Sequence, residues 1–242
     1  MIGARIRQGD GSLIQIDPNW ECLGMKQAGI TTTAPSYTVP SGDTIGRTTI
    51  SVAGCNEPIL ALFCSGAFIG VMSKSQSGTT YSWDIVTNIP GASFTYWIFD
   101  TTDVAQIQFL TTKGLRIRNP ANNRVIFDSR YKYMRIQQIV TASAGTGSAD
   151  VPISMTGNYA VGISNTGLYT VVSGGPVGGG PSWLVNTAGF VTGFRTNTNG
   201  TISVMLIRLR LSIASGNNPP YPPTGIMGDN KLTGMILDMR NY

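Results

Sequence analysis

The sequence predicts an all-β protein: two tandem, internally duplicated β-sandwich or jelly-roll-like domains followed by a Pro-rich C-terminal arm. Three observations carry this expectation. From residue 201 to 213, Met205, Ile207, Leu209, Leu211 and Ile213 alternate with Arg208, Arg210 and Ser212, the two-residue period of a strand with one wet face. Short apolar runs are separated by Gly, Pro and Asn turns, and no window of ten residues or more reads as an amphipathic helix. The third observation is a repeat. Gly3-Ala-Arg5-Ile6-Arg7, a turn, Leu13-Ile14-Gln-Ile16-Asp17 and Trp20 recur as Gly114-Leu-Arg116-Ile117-Arg118, a turn, Val125-Ile126-Phe127-Asp128 and Tyr131. A gapless repeat of this kind sets the domain plan before any strand is assigned.

The repeat divides the chain into residues 1–111 and 112–216, with 217–242 as the arm and a terminal strand. Residues 4–8 and 12–17 read as a hairpin around Gly9-Asp10-Gly11, where glycine supplies positive φ. The second copy turns at Asn119-Pro-Ala-Asn-Asn123. Residues 59–72 read as two apolar strands with a Ser65-Gly66 turn, matched by 159–163 and 168–172. Phe94–Phe99 closes the first unit and Thr201–Ile213 the second. Residues 173–182, Ser-Gly-Gly-Pro-Val-Gly-Gly-Gly-Pro-Ser, read as a flexible loop. Asn217–Gly225 reads as an extended polyproline arm, and 232–242 as an edge strand, added within the molecule or on a neighbour.

Charged residues make up 12% of the chain, about half the usual share, and the net charge is +5. Low charge with many Gly, Ser and Thr suits uncharged β-surfaces that are cheap to desolvate against other subunits. The basic residues between Arg116 and Arg135 alternate with apolar ones, as on the wet face of a strand. With no recognition-helix pattern, no nucleic-acid partner is expected. No run approaches a membrane span, so no membrane insertion is expected. The opening Met1-Ile-Gly-Ala-Arg-Ile-Arg has no apolar signal core, so synthesis in the cytoplasm is expected.

The chain has no histidine, which removes serine or cysteine triads and histidine zinc sites. Cys22, Cys55 and Cys64 have no metal spacing. Cys64 reads as a buried free thiol, and a Cys22–Cys55 bridge is left open. No catalytic residue, cofactor or metal ligand is assigned. A carboxylate pair among the twelve acids would be needed for a glycosidase. The pair that repeats, Asp17 and Asp128, is assigned instead to a structural hairpin turn, accepting backbone N–H bonds. Receptor or partner contact is assigned to Tyr169 and Trp183 beside the Gly-rich segment and to Tyr221 on the arm.

Gly114-Leu-Arg-Ile-Arg-Asn119, Val125-Ile-Phe-Asp128-Ser129 and Tyr131 resemble a hairpin of small β-rich tail-tip and tail-fibre proteins of long-tailed bacteriophages. The first copy matches less well: Gln8 replaces the Asn, and Ile16-Asp17-Pro18 replaces Phe-Asp-Ser. The resemblance covers about 20 residues of each copy and carries no catalytic or ligand residue. It implies a structural protein of the distal tail, assembled in the virion as a homotrimer. Its partners would be other tail-tip or hub proteins and a host receptor such as a pilus or polysaccharide. From the residues themselves, the very apolar runs 59–72 and 94–99 make the first unit the docking candidate, and the Gly-rich loop makes the second the recognition candidate. A tail adaptor or decoration protein without receptor contact, and a tail enzyme that cuts surface polysaccharide, are the alternatives.

Overall fold

Alternation along the strands sorts side chains into a core between two sheets. The computed structural model describes residues 4–7, 13–16, 22–34, 37–38, 44–106, 113–145, 147–163, 168–176, 182–217, 225–228, 230–240 and 242. β1 (Ala4–Arg7) and β2 (Leu13–Ile16) form a separate antiparallel hairpin. The first half continues with β3 (Leu23–Thr32), β4 (Tyr37–Thr38), β5 (Thr44–Val52), β6 (Ile59–Phe63), β7 (Ile69–Ser77), β8 (Thr80–Thr87) and β9 (Ser93–Thr101). The second half opens with the hairpin β10 (Arg116–Arg118) and β11 (Val125–Asp128). It continues with β12 (Ile136–Ser143), β13 (Ala149–Pro152), β14 (Tyr159–Ile163), β15 (Leu168–Pro176), β16 (Ser182–Thr196), β17 (Thr201–Asn217), β18 (Gly225–Gly228) and β19 (Lys231–Asp238). The described residues contain no helix, so the chain is all-β.

Sheet I has the order β12-β19-β14-β6-β9-β3, and sheet II the order β13-β17-β16-β7-β8-β5-β4, with β15 and then β18 added beside β16. Apart from β4, β15 and β18, both orders read the same from either end. β3, β9 and β6 occupy the places of β12, β19 and β14, and β5, β8 and β7 those of β13, β17 and β16. At the middle, Val161 faces Leu62 and Gly162 faces Ala61 in sheet I, and Phe194 faces Ile69 in sheet II. Strands from the two halves therefore meet within both sheets. The reason lies in β6 (Ile-Leu-Ala-Leu-Phe) and β14 (Tyr-Ala-Val-Gly-Ile), which are too apolar to stand as exposed edges.

One core cluster lies between the sheets. Sheet I contributes Leu60, Leu62, Ile98, Tyr159, Val161 and Ile236, and sheet II contributes Ile69, Trp83, Ile85, Phe194, Ile202 and Val204. Their strand neighbours Ala61, Phe99, Ala160 and Leu237 point the other way, into a second cluster on the outer face of sheet I. Met239, Met134 and Tyr242 cover that cluster. The tight turns fall where glycine takes positive φ, Gly78 between β7 and β8 and Gly200 between β16 and β17. Cys55 and Cys64 are buried, and Cys22, Cys55 and Cys64 are all free thiols. Burial, with the Asp100 carboxylate adding to it, pushes the Cys55 thiol up to about 11.

Four sequence expectations are corrected. Residues 59–72 do not form a hairpin: β6 lies in sheet I and β7 in sheet II, so Ser65-Gly66 lies in a corner between layers. β14 and β15 divide in the same way. The strand in the place of β9 is β19, not Thr201–Ile213, which belongs to β17 beside β16. β19 is an interior strand between β12 and β14, not an edge, because Leu232 and Ile236 supply core. Ser173–Pro176 belongs to β15 and Ser182 to β16, since a cross-strand partner holds the glycines extended. The remainder of the Gly-rich segment, 177–181, lies outside the described residues.

Phe194 is fully buried at the junction of the halves. Phe194→Ala is expected to cost about 3–5 kcal/mol. Urea unfolding should show a lower midpoint with an unchanged slope. Because the core draws on both halves, fluorescence and far-UV signals should report one coincident transition.

Candidate functional site

The hairpin of residues 114–131 is built around Asp128. β10 and β11 pair Arg116 with Asp128 and Ile117 with Phe127, and a bulge follows Ile117. In the turn, the Asn119 side chain accepts the Ala121 N–H at 2.8 Å, and Asn123 takes φ 59°. Asp128 is fully buried. Its carboxylate accepts Nε of Arg116 at 2.8 Å, Nε of Arg130 at 2.8 Å, a terminal nitrogen of Arg130 at 2.6 Å and the Arg130 backbone N–H at 3.1 Å. The Arg130 side chain, with help from Arg116, holds this carboxyl well below the usual range despite its burial. The expected turn role therefore describes only part of what Asp128 does, since two guanidinium groups complete its shell.

The hairpin is tied to the sandwich at its base. The Tyr133 hydroxyl donates to the Asp128 carbonyl at 3.0 Å, and its ring stacks on Phe127 with centroids 5.0 Å apart. Burial pushes the Tyr133 phenol up. Met25 N–H donates to the Lys132 carbonyl at 2.7 Å, and Met134 N–H to that of Leu23 at 2.9 Å. The Thr102 hydroxyl donates to the Val125 carbonyl. Tyr242 closes the same corner: its hydroxyl donates to the Tyr133 carbonyl, and its ring lies under Arg135 and Lys132 at 5.3 and 5.5 Å.

Asp238 repeats the Asp-x-Arg clip. It accepts the Arg240 backbone N–H at 2.9 Å and both arms of the Arg240 side chain at 3.0 and 2.9 Å. Arg240 holds the Asp238 carboxyl down, and Arg135 assists from 3.7 Å. Other acids are also engaged structurally. Asp84 takes Nε of Arg47 at 2.8 Å, Asp100 accepts the N–H groups of Asn56, Glu57 and Thr101, and Asp150 accepts the Ser203 hydroxyl at 2.6 Å. The Asp-x-Arg spacing at 128–130 and 238–240 was the readable signal for these clips.

Tyr169 and Trp183 are not brought together. Tyr169 sits opposite Phe190 and Trp183 opposite Pro176, so the two positions are seven residue steps apart along β15. That is roughly 23 Å at about 3.3 Å per residue. Tyr221 and Asp17 lie outside the described residues.

A groove of about 570 Å³ opens between the start of β6 and the β7–β8 hairpin, lined by Glu57, Pro58, Lys74, Ser75, Gln76 and Tyr81 among others. Lys74 donates to the Pro58 carbonyl at 3.2 Å and sits over the Tyr81 and Trp83 rings at 5.0 and 5.6 Å. Tyr81 donates to the Asn56 carbonyl at 2.6 Å. Glu57 is the one carboxylate among the lining residues, whereas glycoside hydrolysis needs two. Lys74 and Tyr81 are thus both committed to backbone carbonyls of the segment before β6. Sequence reading missed it because Lys74 meets Trp83 opposite it and Tyr81 diagonally only once the β7–β8 hairpin is formed.

The depressed Asp128 and Asp238 carboxyls contribute stability that is fully present above the unfolded aspartate value of about 3.9 and is lost as pH falls through their lower folded values. With no histidine to titrate, unfolding free energy should stay flat from neutrality to about pH 4 and fall below it. Asp128→Asn should cost about 2 kcal/mol at pH 7 and make the acid fall shallower, as read by urea unfolding at pH 7 and about pH 3. No family model, no curated protein and no solved structure matches this chain.

Proposed function

We propose that the protein is a structural component of the distal tail of a long-tailed bacteriophage, in the tail tip or a tail fibre, acting in virion assembly and host-cell attachment. The observation that carries this reading is the hairpin string of residues 114–131. It resembles the opening hairpin of small phage tail proteins, and its Arg116, Phe127, Asp128 and Tyr131 each have a partner in one rigid unit.

The chemistry of the described residues supports a structural role. The buried carboxylates are held by arginines or backbone N–H groups, and the one in the groove has no acidic partner among the lining residues. On this reading the first half docks on tail-tip or hub proteins, and the copies assemble as a homotrimer. The ribbon of β15 and β16, with Tyr169 and Trp183, faces a pilus or polysaccharide receptor. The arm with Tyr221 packs on a neighbouring subunit.

Antibody against the purified protein tests this. Label confined to the distal tail of intact particles in electron micrographs is expected. Particles that carry no label anywhere contradict it. Particles made without the protein then separate the roles: assembled tails that fail to bind cells mark an adhesin, and failure of tail assembly marks an adaptor.

A further inference from the structure

The two sheets end differently. Sheet II ends in short strands: β4 has two residues, β18 has four, and β13 has four, including Asp150 and Pro152. The longer strands that β4 and β13 only partly cover, β5 and β17, carry Arg47 and Arg208 with Arg210. Short strands, charge and proline are the usual protections of a sheet edge, whose unpaired N–H and C=O groups otherwise template another strand. Sheet I has less: Lys26 and one bulge lie near the start of β3, and one bulge lies at the start of β12. Its edges are β3 and β12, ten and eight residues long. From Gln27 to Thr32 and from Ile136 to Ser143 there is no charge and no proline. Each edge instead presents an isoleucine, Ile30 at 75% exposure and Ile139 at 67%. Residues Lys132–Met134 cover the first residues of β3. Beyond that, neither edge has a second strand neighbour among the described residues.

The two isoleucines hold equivalent positions. Ile30 follows Gly29, which pairs with Tyr96 and, through it, Leu62. Ile139 follows Gln138, which pairs with Ile236 and, through it, Val161. Leu62 and Val161 face each other at the centre of the sheet. Six antiparallel strands make β3 and β12 run in opposite directions. β3 of one molecule can therefore meet β12 of another antiparallel, with the same face outward. A cross-strand row of Ile139, Met235, Gly162, Ala61, Trp97 and Ala28 runs from edge to edge of that face. The contact would continue both the row and the sheet, repeating between molecules what β6 and β14 do within one.

We propose that the partner of both edges is a second copy of this chain, with β3 of one copy pairing antiparallel with β12 of the next in a head-to-tail assembly. Pairing β12 with β12 about a two-fold axis would leave β3 bare, whereas one repeated heterologous contact covers both edges. The proposed pairing rests on the edges alone; a monomeric chain would also remove the homotrimer from the tail reading, whereas the place of the protein on the tail is tested separately by the antibody label.

Light scattering on a size-exclusion column tests it with the full chain. The wild type is expected at a multiple of 25.7 kDa. Ile30→Lys and Ile139→Lys should each run as a monomer with an unchanged far-UV spectrum and cooperative unfolding, because both side chains are exposed in the single chain, and with a thermal midpoint that no longer depends on concentration. An equal mixture of the two should give a dimer, since it retains one intact β3 and one intact β12. A monomeric wild type overturns the proposal. So does an Ile30→Lys protein that assembles normally, or a mixture without dimer. Thr32→Lys and Gln137→Lys serve as a second pair should either isoleucine variant fold poorly.

Discussion

The structure depends on edge-to-edge pairing at its middle, where β6 meets β14 and β7 meets β16. Each half alone would expose two apolar strands with unpaired backbone, and a chain with so little charge has no other way to protect them. Pairing satisfies those groups and brings Leu62, Val161, Ile69 and Phe194 into one core. The mirrored strand orders, the shared cluster and the outermost places of β3 and β12 in sheet I all follow from that junction.

The same frame explains where the polar groups went. Strand ends need a stop, and buried aspartates supply it at Asp100, Asp128 and Asp238. Asp100 is satisfied by three backbone N–H groups, while the other two are each clipped by an arginine two residues on. A buried charge is tolerable only with such partners. Tyr133, Tyr242 and Arg135 then tie the second-half hairpin to β3 and β19. The hairpin is therefore a fixed part of the corner and not a free appendage.

Much of the fold class was legible, and much of the topology was not. The alternation at 201–213 and the Gly and Asn turns point to strands whatever their partners, and the β10–β11 hairpin follows from local turn chemistry. Which sheet β6 and β7 join is not a local property. Both are apolar runs, and a corner looks like a hairpin when Ser65-Gly66 can serve either. β19 gains its interior place from β12 and β14, each about 70 residues or more away in the chain, so its apolar face reads equally well as an edge. The glycines at 174 and 175 look like loop until Val185 and Leu184 stand opposite them. At the site, Asp128 was visible through the repeat, but the guanidinium groups that complete its shell were not assigned to it.

Hydrogen exchange resolved by residue tests the shared-sheet architecture most directly. Leu62 and Val161 in sheet I and Ile69 and Phe194 in sheet II lie where the halves meet. If one core spans both halves, amides along these junction strands exchange as slowly as those of Ile85 and Ile98 within the first half, through global unfolding alone. Fast exchange at the junction with protected flanks would mean that the halves are separate folding units that merely touch, and would contradict the account.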